Sequence, residues 1–487
     1  MHVERRKPLT ANVAVFGVGH HTYWNQFEGL LDELNKKLDI FVEKVKTRGV
    51  RVCNFGMVDD ARGALKLAPQ LKAGDFDLIF IDMVTYATSS TFGIIARELK
   101  DVPIVLVALQ PLPAMDYVNG TTFMQLCNDD FCAVPEFTGV AVRLGRRIPD
   151  VILGVLENDP IVENEITCWC GIAQAFHDLR RARIGIMGHP LEAMYDMHTD
   201  PTAVTAAFGC HVVQCEPDDI LKYYRQNDSD QSAVAAMKMR ILDFFDTPDP
   251  VSDPITTKLT TTDLEISARA AVALEKFIAD KQLDGLAYYY EAEPGSIMQQ
   301  LVSNLIVGNS LLTSAGFPMC GEFDLKTCIA MMILNRLNAG GSFAEFHPVD
   351  FVNDTVLIGH DGPHHLNIAD RKPVLRSLKK YHGKPGRGAG VEFNIKTGPI
   401  TMLGVGLKAN GQFKFIVAEG ESKAGPIPPT GNTSTHGKFK PDVRTFLKRW
   451  AAAGPTHHFA LGIGHHAETL RKLGAELEIE TVIMAKE

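Results

Sequence analysis

Val13-Ala-Val-Phe-Gly-Val18, Asp77-Leu-Ile-Phe-Ile-Asp-Met83 and Ile104-Val-Leu-Val-Ala-Leu109 are short, almost unbroken apolar runs. With Arg51-Val-Cys-Asn-Phe-Gly-Met57 they read as four buried strands, each too short and too uniformly apolar for an amphipathic helix. Segments with a helical period, such as 25–46, lie between them. That alternation gives a parallel sheet covered on both faces. The pattern restarts after Arg147-Ile-Pro149. Residues 151–157 and 183–187 read as strands around a helix at 162–181. A strand at 211–215, a long helical region at 218–245, a loop at 247–254, a helix at 262–281 and a strand at 285–290 follow. The last third changes character. Residues 395–407 and 413–419 read as strands, and Asn410-Gly411 between them predicts a type I′ hairpin. Residues 383–390 and 424–437 are Gly/Pro/Ser/Thr-rich loops. The expected fold is α/β: two doubly wound parallel-sheet domains at 1–150 and 151–320, then a β-rich C-terminal domain at 321–487.

The 487 residues exceed one core and suit about three domains of roughly 150 residues. With 45% hydrophobic and 22% charged residues, disordered, collagenous and coiled-coil classes are excluded. A net charge of −9 without a Lys/Arg block argues against nucleic acid or an anionic membrane as partner. The expected partner is a small molecule or another copy of the chain. No apolar run reaches the roughly 20 residues that span a bilayer, and residues 1–12 offer no signal-peptide pattern. The nine cysteines form no CxxC pair, and Cys168 and Cys170 are too close for a tetrahedral zinc clip. Buried, reduced thiols in a cytoplasmic protein are expected.

Nucleotide motifs fail. Gly386-Arg-Gly-Ala-Gly390 precedes a strand rather than opening a helix, and Gly17-Val-Gly19 lacks the third glycine. Histidine is the unusual residue: there are 17, with adjacent pairs at His20-His21, His364-His365, His457-His458 and His465-His466. A His pair is commonly a polar loop, but His20-His21 sits just past the first strand, where open α/β sheets bind ligands. Glu322 is expected to open an apolar helix running to Asn338, which Gly340-Gly341 terminates. Glu345 then follows the glycine turn, and a strand at 355–358 delivers His360. Helix, turn and strand can fold back so that Glu322, Glu345 and His360 meet; taken singly, each Glu reads as a solvated helix end. Lys384 and Arg387 suit an anionic group or a solvated loop.

Gly321-Glu-Phe-Asp-Leu-Lys-Thr327, Gly341-Ser-Phe-Ala-Glu345, Asn353-Asp-Thr-Val-Leu-Ile-Gly-His360 and Gly454-Pro-Thr-His-His458 resemble, in order, the four metal-site segments of L-arabinose isomerases. Gly17-Val-Gly-His-His-Thr22 resembles their first sugar-contacting loop, and Lys396-Thr-Gly-Pro399 a shared strand connection. The resemblance spans nearly the whole chain. It implies a metal site on Glu322, Glu345, His360 and His458, mostly in the C-terminal domain, and a preference for Mn²⁺, with Co²⁺ or Mg²⁺ possible. It also implies a homo-oligomer, a hexamer or tetramer, with active sites near subunit contacts. Several positions depart from the family. Gly19 stands where the family has Gln, His21-Thr22 replace an apolar residue and Tyr, and Cys132 stands where a neighbouring subunit's His is expected. These changes imply a more polar pocket at the sugar's distal end. His20, His21, Tyr290 and His457 are the expected hydroxyl contacts.

The chemistry is consistent with that resemblance. Moving a carbonyl between C1 and C2 takes a proton from one carbon and returns it to the next, through an enediol whose oxygens gain charge. A divalent metal on two carboxylates and two imidazoles stabilises that charge, and oxygen and imidazole donors without thiolate suit Mn²⁺, Co²⁺ or Mg²⁺. Glu322 and Glu345 then serve as base and acid, both ionised by the metal and, for Glu322, by the helix N-terminus. A sugar-binding or regulatory protein and a metal-dependent sugar epimerase on the same scaffold remain the alternatives.

Overall fold

The apolar runs form the centre of a five-stranded parallel sheet. Its strands are β1 (Asn12–Val18), β2 (Arg51–Val58), β3 (Leu78–Asp82), β4 (Ile104–Gln110) and β5 (Asp150–Val155), in the order β2-β1-β3-β4-β5. The computed structural model describes all residues except 1–2, 6–7, 192, 228–229, 249–250, 252–258, 379–387, 429–431 and 485–487. Lys384 and Arg387, and much of the loops expected at 247–254 and 383–390, therefore lie outside the described residues.

β1, β3 and β4 carry apolar residues on both faces because both faces are covered. Ala14, Phe16, Ile79, Ile81 and Leu106 pack with Leu67, Phe92 and Phe137 from helices on one side. On the other, Phe80 meets Phe41 edge-on at 5.5 Å. Phe41 belongs to the helix Leu30–Lys46, which buries Leu34, Leu38, Phe41, Val42 and Val45 along one stripe. That helix was expected from residue 25; it begins after Gly29, whose φ of 79° sets the entry turn. One strand is assigned differently from the sequence reading. β5, expected to open the second domain, hydrogen-bonds to β4 and completes the first sheet. An apolar strand does not itself encode which sheet it joins.

By Cα proximity the chain divides into two compact units, Leu9–Asp178 and Met1–Pro8 with Leu179–Glu487. The second unit contains a four-stranded parallel sheet of β6 (Arg183–Met187), β7 (His211–Cys215), β8 (Gly285–Tyr288) and β9 (Met319–Cys320), ordered β7-β6-β8-β9. The long helical region breaks into Pro217–Gln226 and Gln231–Phe244, each with its own cap. The helix Thr261–Lys281 starts with a Thr260/Asp263 capping box.

The strand-rich region is a closed barrel. Its strands are β10 (Gly340–Asp350), β11 (Thr355–His360), β14 (Gly398–Leu407), β15 (Phe413–Lys423), β16 (Thr433–Lys438) and β17 (Phe459–Ile463). They run in the order β14-β17-β10-β11-β16-β15, and β15 pairs back with β14. β18 (Glu480–Ile483) adds to β15 in parallel, while β12 (Val374–Ser377) and β13 (Ala389–Glu392) pair separately. The hairpin at Asn410-Gly411 is present, but only Gly411 is left-handed, with φ 81°. Gly411 N–H donates to the Lys408 carbonyl, as in a type I turn with a bulge, so the type I′ expectation is corrected.

No helix among the described residues is long and apolar enough to cross a membrane. All nine cysteines are free.

Candidate metal centre

Glu345 sits in β10, between the two strands that deliver the histidines. Its pairing partner in β11 is Gly359, one residue before His360. On the other side Ala344 pairs with Phe459, the residue after His458. Glu345, from the middle of β10, therefore meets His360 and His458 at the near ends of the two flanking strands, although 112 residues separate Glu345 from His457. Period-2 alternation sends Phe346 towards Phe459 and Trp450, and sends Phe343, Glu345 and His347 to the opposite face.

Glu322 arrives from the parallel sheet. β9 ends at Cys320, and the chain then turns through Glu322 and Phe323, both left-handed with φ of 58° and 62°. The helix that follows is Leu325–Arg336, capped by Asp324, which accepts from the Thr327 N–H. Two expectations are corrected here. Glu322 stands before the cap, so it does not open the helix, and the helix stops short of Asn338. Gly340 and Gly341 begin β10, and Glu345 follows them mid-strand. Gly341 has φ 98°, and a Cβ there would lie 2.7 Å from the Met331 carbonyl, so the strand can lie on the helix only as glycine.

The four residues surround one small volume. His458 Nε2 lies 3.2 Å from Glu322 Oε2; His360 Nε2 lies 3.7 Å from Glu322 Oε1 and 4.0 Å from Glu345 Oε1. Atoms each bound about 2.1 Å from one ion stand about 3.0–3.4 Å apart, so this spacing is close to that of a ligand shell. Glu322, His360 and His458 form one group able to hold a metal; Glu345, His457 and His458 form a second that overlaps it. The buried His458 Nε2 makes no well-directed hydrogen bond despite its closeness to Glu322. Both ligand histidines use Nδ1 elsewhere: His458 against Asp324 Oδ2 at 3.1 Å, His360 against the Asp361 carbonyl at 2.6 Å. That outer contact fixes each ring so that Nε2 faces the site. Phe343 packs against both rings, at 4.5 and 4.3 Å. A donor set of carboxylate oxygen and imidazole nitrogen, with an orphaned buried nitrogen, fits a divalent cation.

The electrostatics agree. Burial raises the Glu345 carboxyl, but His457 at 2.5 Å, with His360 and His347, outweighs it and holds the group at about 2. Burial likewise opposes ionisation of Glu322, and His458 and His360 reverse it, keeping the group below the usual carboxylate range. Burial alone lowers His458, but Asp324 and Glu322 push it up to about 9. Burial, with His458 alongside, lowers His360.

Tyr290, two residues past β8, lines the pocket with Glu322, Phe343, His360 and Asp361. His457 is half-exposed with its ring on Glu345. His20 and His21 belong to the other unit, in and beside a short turn at the carboxyl end of β1, where His20 packs edge-on against Tyr23 at 5.1 Å. Cys132, also in that unit, is exposed. Sequence reasoning missed Asp324, Phe343 and His347. The signals were present: Asp324-x-x-Thr327 is a cap pattern, and Phe343 and His347 share a strand face with Glu345.

Residues 340–480 match the L-arabinose isomerase C-terminal domain. Over nearly its whole length the chain is similar to L-arabinose isomerases. An L-arabinose isomerase from Acidothermus cellulolyticus is 23% identical over 486 residues, covering 94% of this chain and 91% of the relative. One from Herpetosiphon aurantiacus is 23% identical over 350 residues, covering 69% and 66%. A sulfoquinovose isomerase from Priestia aryabhattai is 25% identical over 226 residues, covering 44% of this chain and 47% of that protein. The chain thus spans about half the length of that relative. The family match contains Glu345, His360 and His458, while Glu322 enters from the sheet before it.

Proposed function

We propose that the chain is a metal-dependent aldose–ketose isomerase that moves the carbonyl between C1 and C2 of a sugar through an enediol. The observation that carries this reading is the closeness of two carboxylates and two Nε2-facing imidazoles, in two overlapping groups that share His458. Glu322, Glu345, His360 and His458 would hold one divalent ion, Mn²⁺ by the resemblance, with Co²⁺ or Mg²⁺ equally suited to the donor set. Bound there, the ion supplies Lewis-acid stabilisation of the charge that develops on the sugar oxygens.

The chain's own residues carry the proton. Glu345 is ionised at neutral pH and turned by His457, so it is ready to accept a proton from carbon. Glu322, reaching the pocket from a different element, is the second carboxylate of the exchange. Tyr290 and His457 bind sugar hydroxyls. The relatives' names support a sugar as the substrate class. The protein acts in the cytoplasm as a homo-oligomer, a hexamer or tetramer.

Chelated protein is reloaded with Mn²⁺ and given a panel of aldoses that includes L-arabinose and sulfoquinovose, with products identified by chromatography and mass. Ketose that appears only after reloading supports the proposal. An epimer of the starting sugar, or a sugar that binds without conversion, overturns it in favour of an epimerase or a binding protein.

A further inference from the structure

We propose that Asp196, anchored by Lys326, is a positioning residue that holds His457 on Glu345. Only its consequence for turnover rests on the isomerase reading.

Asp196 lies in the turn Tyr195–Met197, after β6, and its Oδ2 accepts the His457 main-chain N–H at 2.8 Å across 261 residues of sequence. Among the described residues that N–H has no other acceptor. The Asp196 carbonyl accepts from Lys326 Nζ at 2.6 Å, and the same ammonium donates to Thr199 Oγ1 at 2.9 Å. Lys326 is buried, and its hydrogen bonds go to a carbonyl and a hydroxyl rather than to a carboxylate. Burying a charge this way is costly for a segment with nothing to position.

The first turn of the helix Leu325–Arg336 therefore reaches both members of the His pair. Asp324 fixes the ring of His458. Lys326 fixes Asp196, which fixes the main chain of His457. With that N–H held and the neighbouring His458 buried, the Cα–Cβ direction of His457 is set. Its half-exposed imidazole then rests on Glu345 Oε2 at 2.5 Å. In the proposed reaction this contact decides which way the Glu345 carboxylate turns towards carbon.

The test reads His457 directly. The full-length chain is treated with diethyl pyrocarbonate and modification of each histidine is timed by mass spectrometry. Freed from Glu345, the His457 ring should react about threefold to tenfold faster in Asp196→Ala, the span expected for losing one hydrogen bond. Asp196→Glu, which displaces the acceptor by one methylene, should do the same. Asp196→Asn keeps an acceptor oxygen and should restore the wild-type rate, while His347 and the melting temperature stay unchanged throughout. Equal His457 rates in all four proteins would overturn the proposal, whatever the turnover. In a turnover assay with Mn²⁺, Asp196→Ala should lower kcat about tenfold with little change in KM, and should lower it no further in a His457→Ala background. A loss that persists without His457 would also overturn it. If no sugar is converted at all, the isomerase reading fails while the labelling result stands on its own.

Discussion

Raising the pH from 7 to 9 should tighten metal binding about a hundredfold, through a single histidine. A metal needs the lone pair of His458 Nε2. In the metal-free protein that ring is held protonated, with its pKa pushed up to about 9 by Asp324 and Glu322 against the effect of burial. At pH 7 only about one molecule in a hundred then has a neutral His458, which costs binding about 2.7 kcal/mol, or two pH units at 1.36 kcal/mol each. The other ligands do not share this dependence: Glu345 sits at about 2, Glu322 is lowered, and His360 is lowered towards its neutral form. Affinity should rise about tenfold per pH unit, level off above pH 9, and release about one proton per ion at pH 7. Calorimetric titration with Mn²⁺ in buffers of different ionisation enthalpy measures both quantities. The same group sets a stability trend in the metal-free protein. Because the folded pKa exceeds the unfolded value, its stabilisation is full below pH 6.5 and is lost as pH rises through about 9, so the melting temperature should fall across that window. Affinity that stays flat from pH 7 to 9, with no proton released, would refute the reasoning.

Two further outcomes follow from the supporting residues. Asp324→Asn removes the charge behind His458, so it should weaken Mn²⁺ binding about 10- to 100-fold above pH 9 and flatten the slope below it, read by the same titration. Gly341→Ala places a methyl 2.7 Å from the Met331 carbonyl at φ 98°, and denaturant unfolding should report a loss of at least about 2 kcal/mol.

The sequence disclosed the strands better than their partnerships. β1, β3 and β4 could be read because central parallel strands are apolar on both faces. Which sheet β5 joins could not, since that depends on where the chain returns after the helix Val134–Arg143. In the site, Glu345 and His360 lie on neighbouring strands of one hairpin, so their meeting was local enough to foresee. His458 is about a hundred residues further along the chain and could be placed only through resemblance. The turn at Glu322 and Phe323 was hidden for a different reason. Two consecutive left-handed residues without glycine are held by surrounding structure rather than by local preference, here including Phe323 N–H on the Tyr288 carbonyl.

The central claim is that these carboxylates carry a proton between adjacent sugar carbons. Turnover of a converted aldose in D₂O by the Mn²⁺-loaded protein, with deuterium at C1 and C2 read by mass spectrometry, tests it most directly. The account expects solvent deuterium at one of those carbons in the wild type, and at least about 10²-fold lower kcat in Glu322→Gln and Glu345→Gln with metal still bound. Ketose formed without solvent deuterium, together with full activity in either variant, would contradict it.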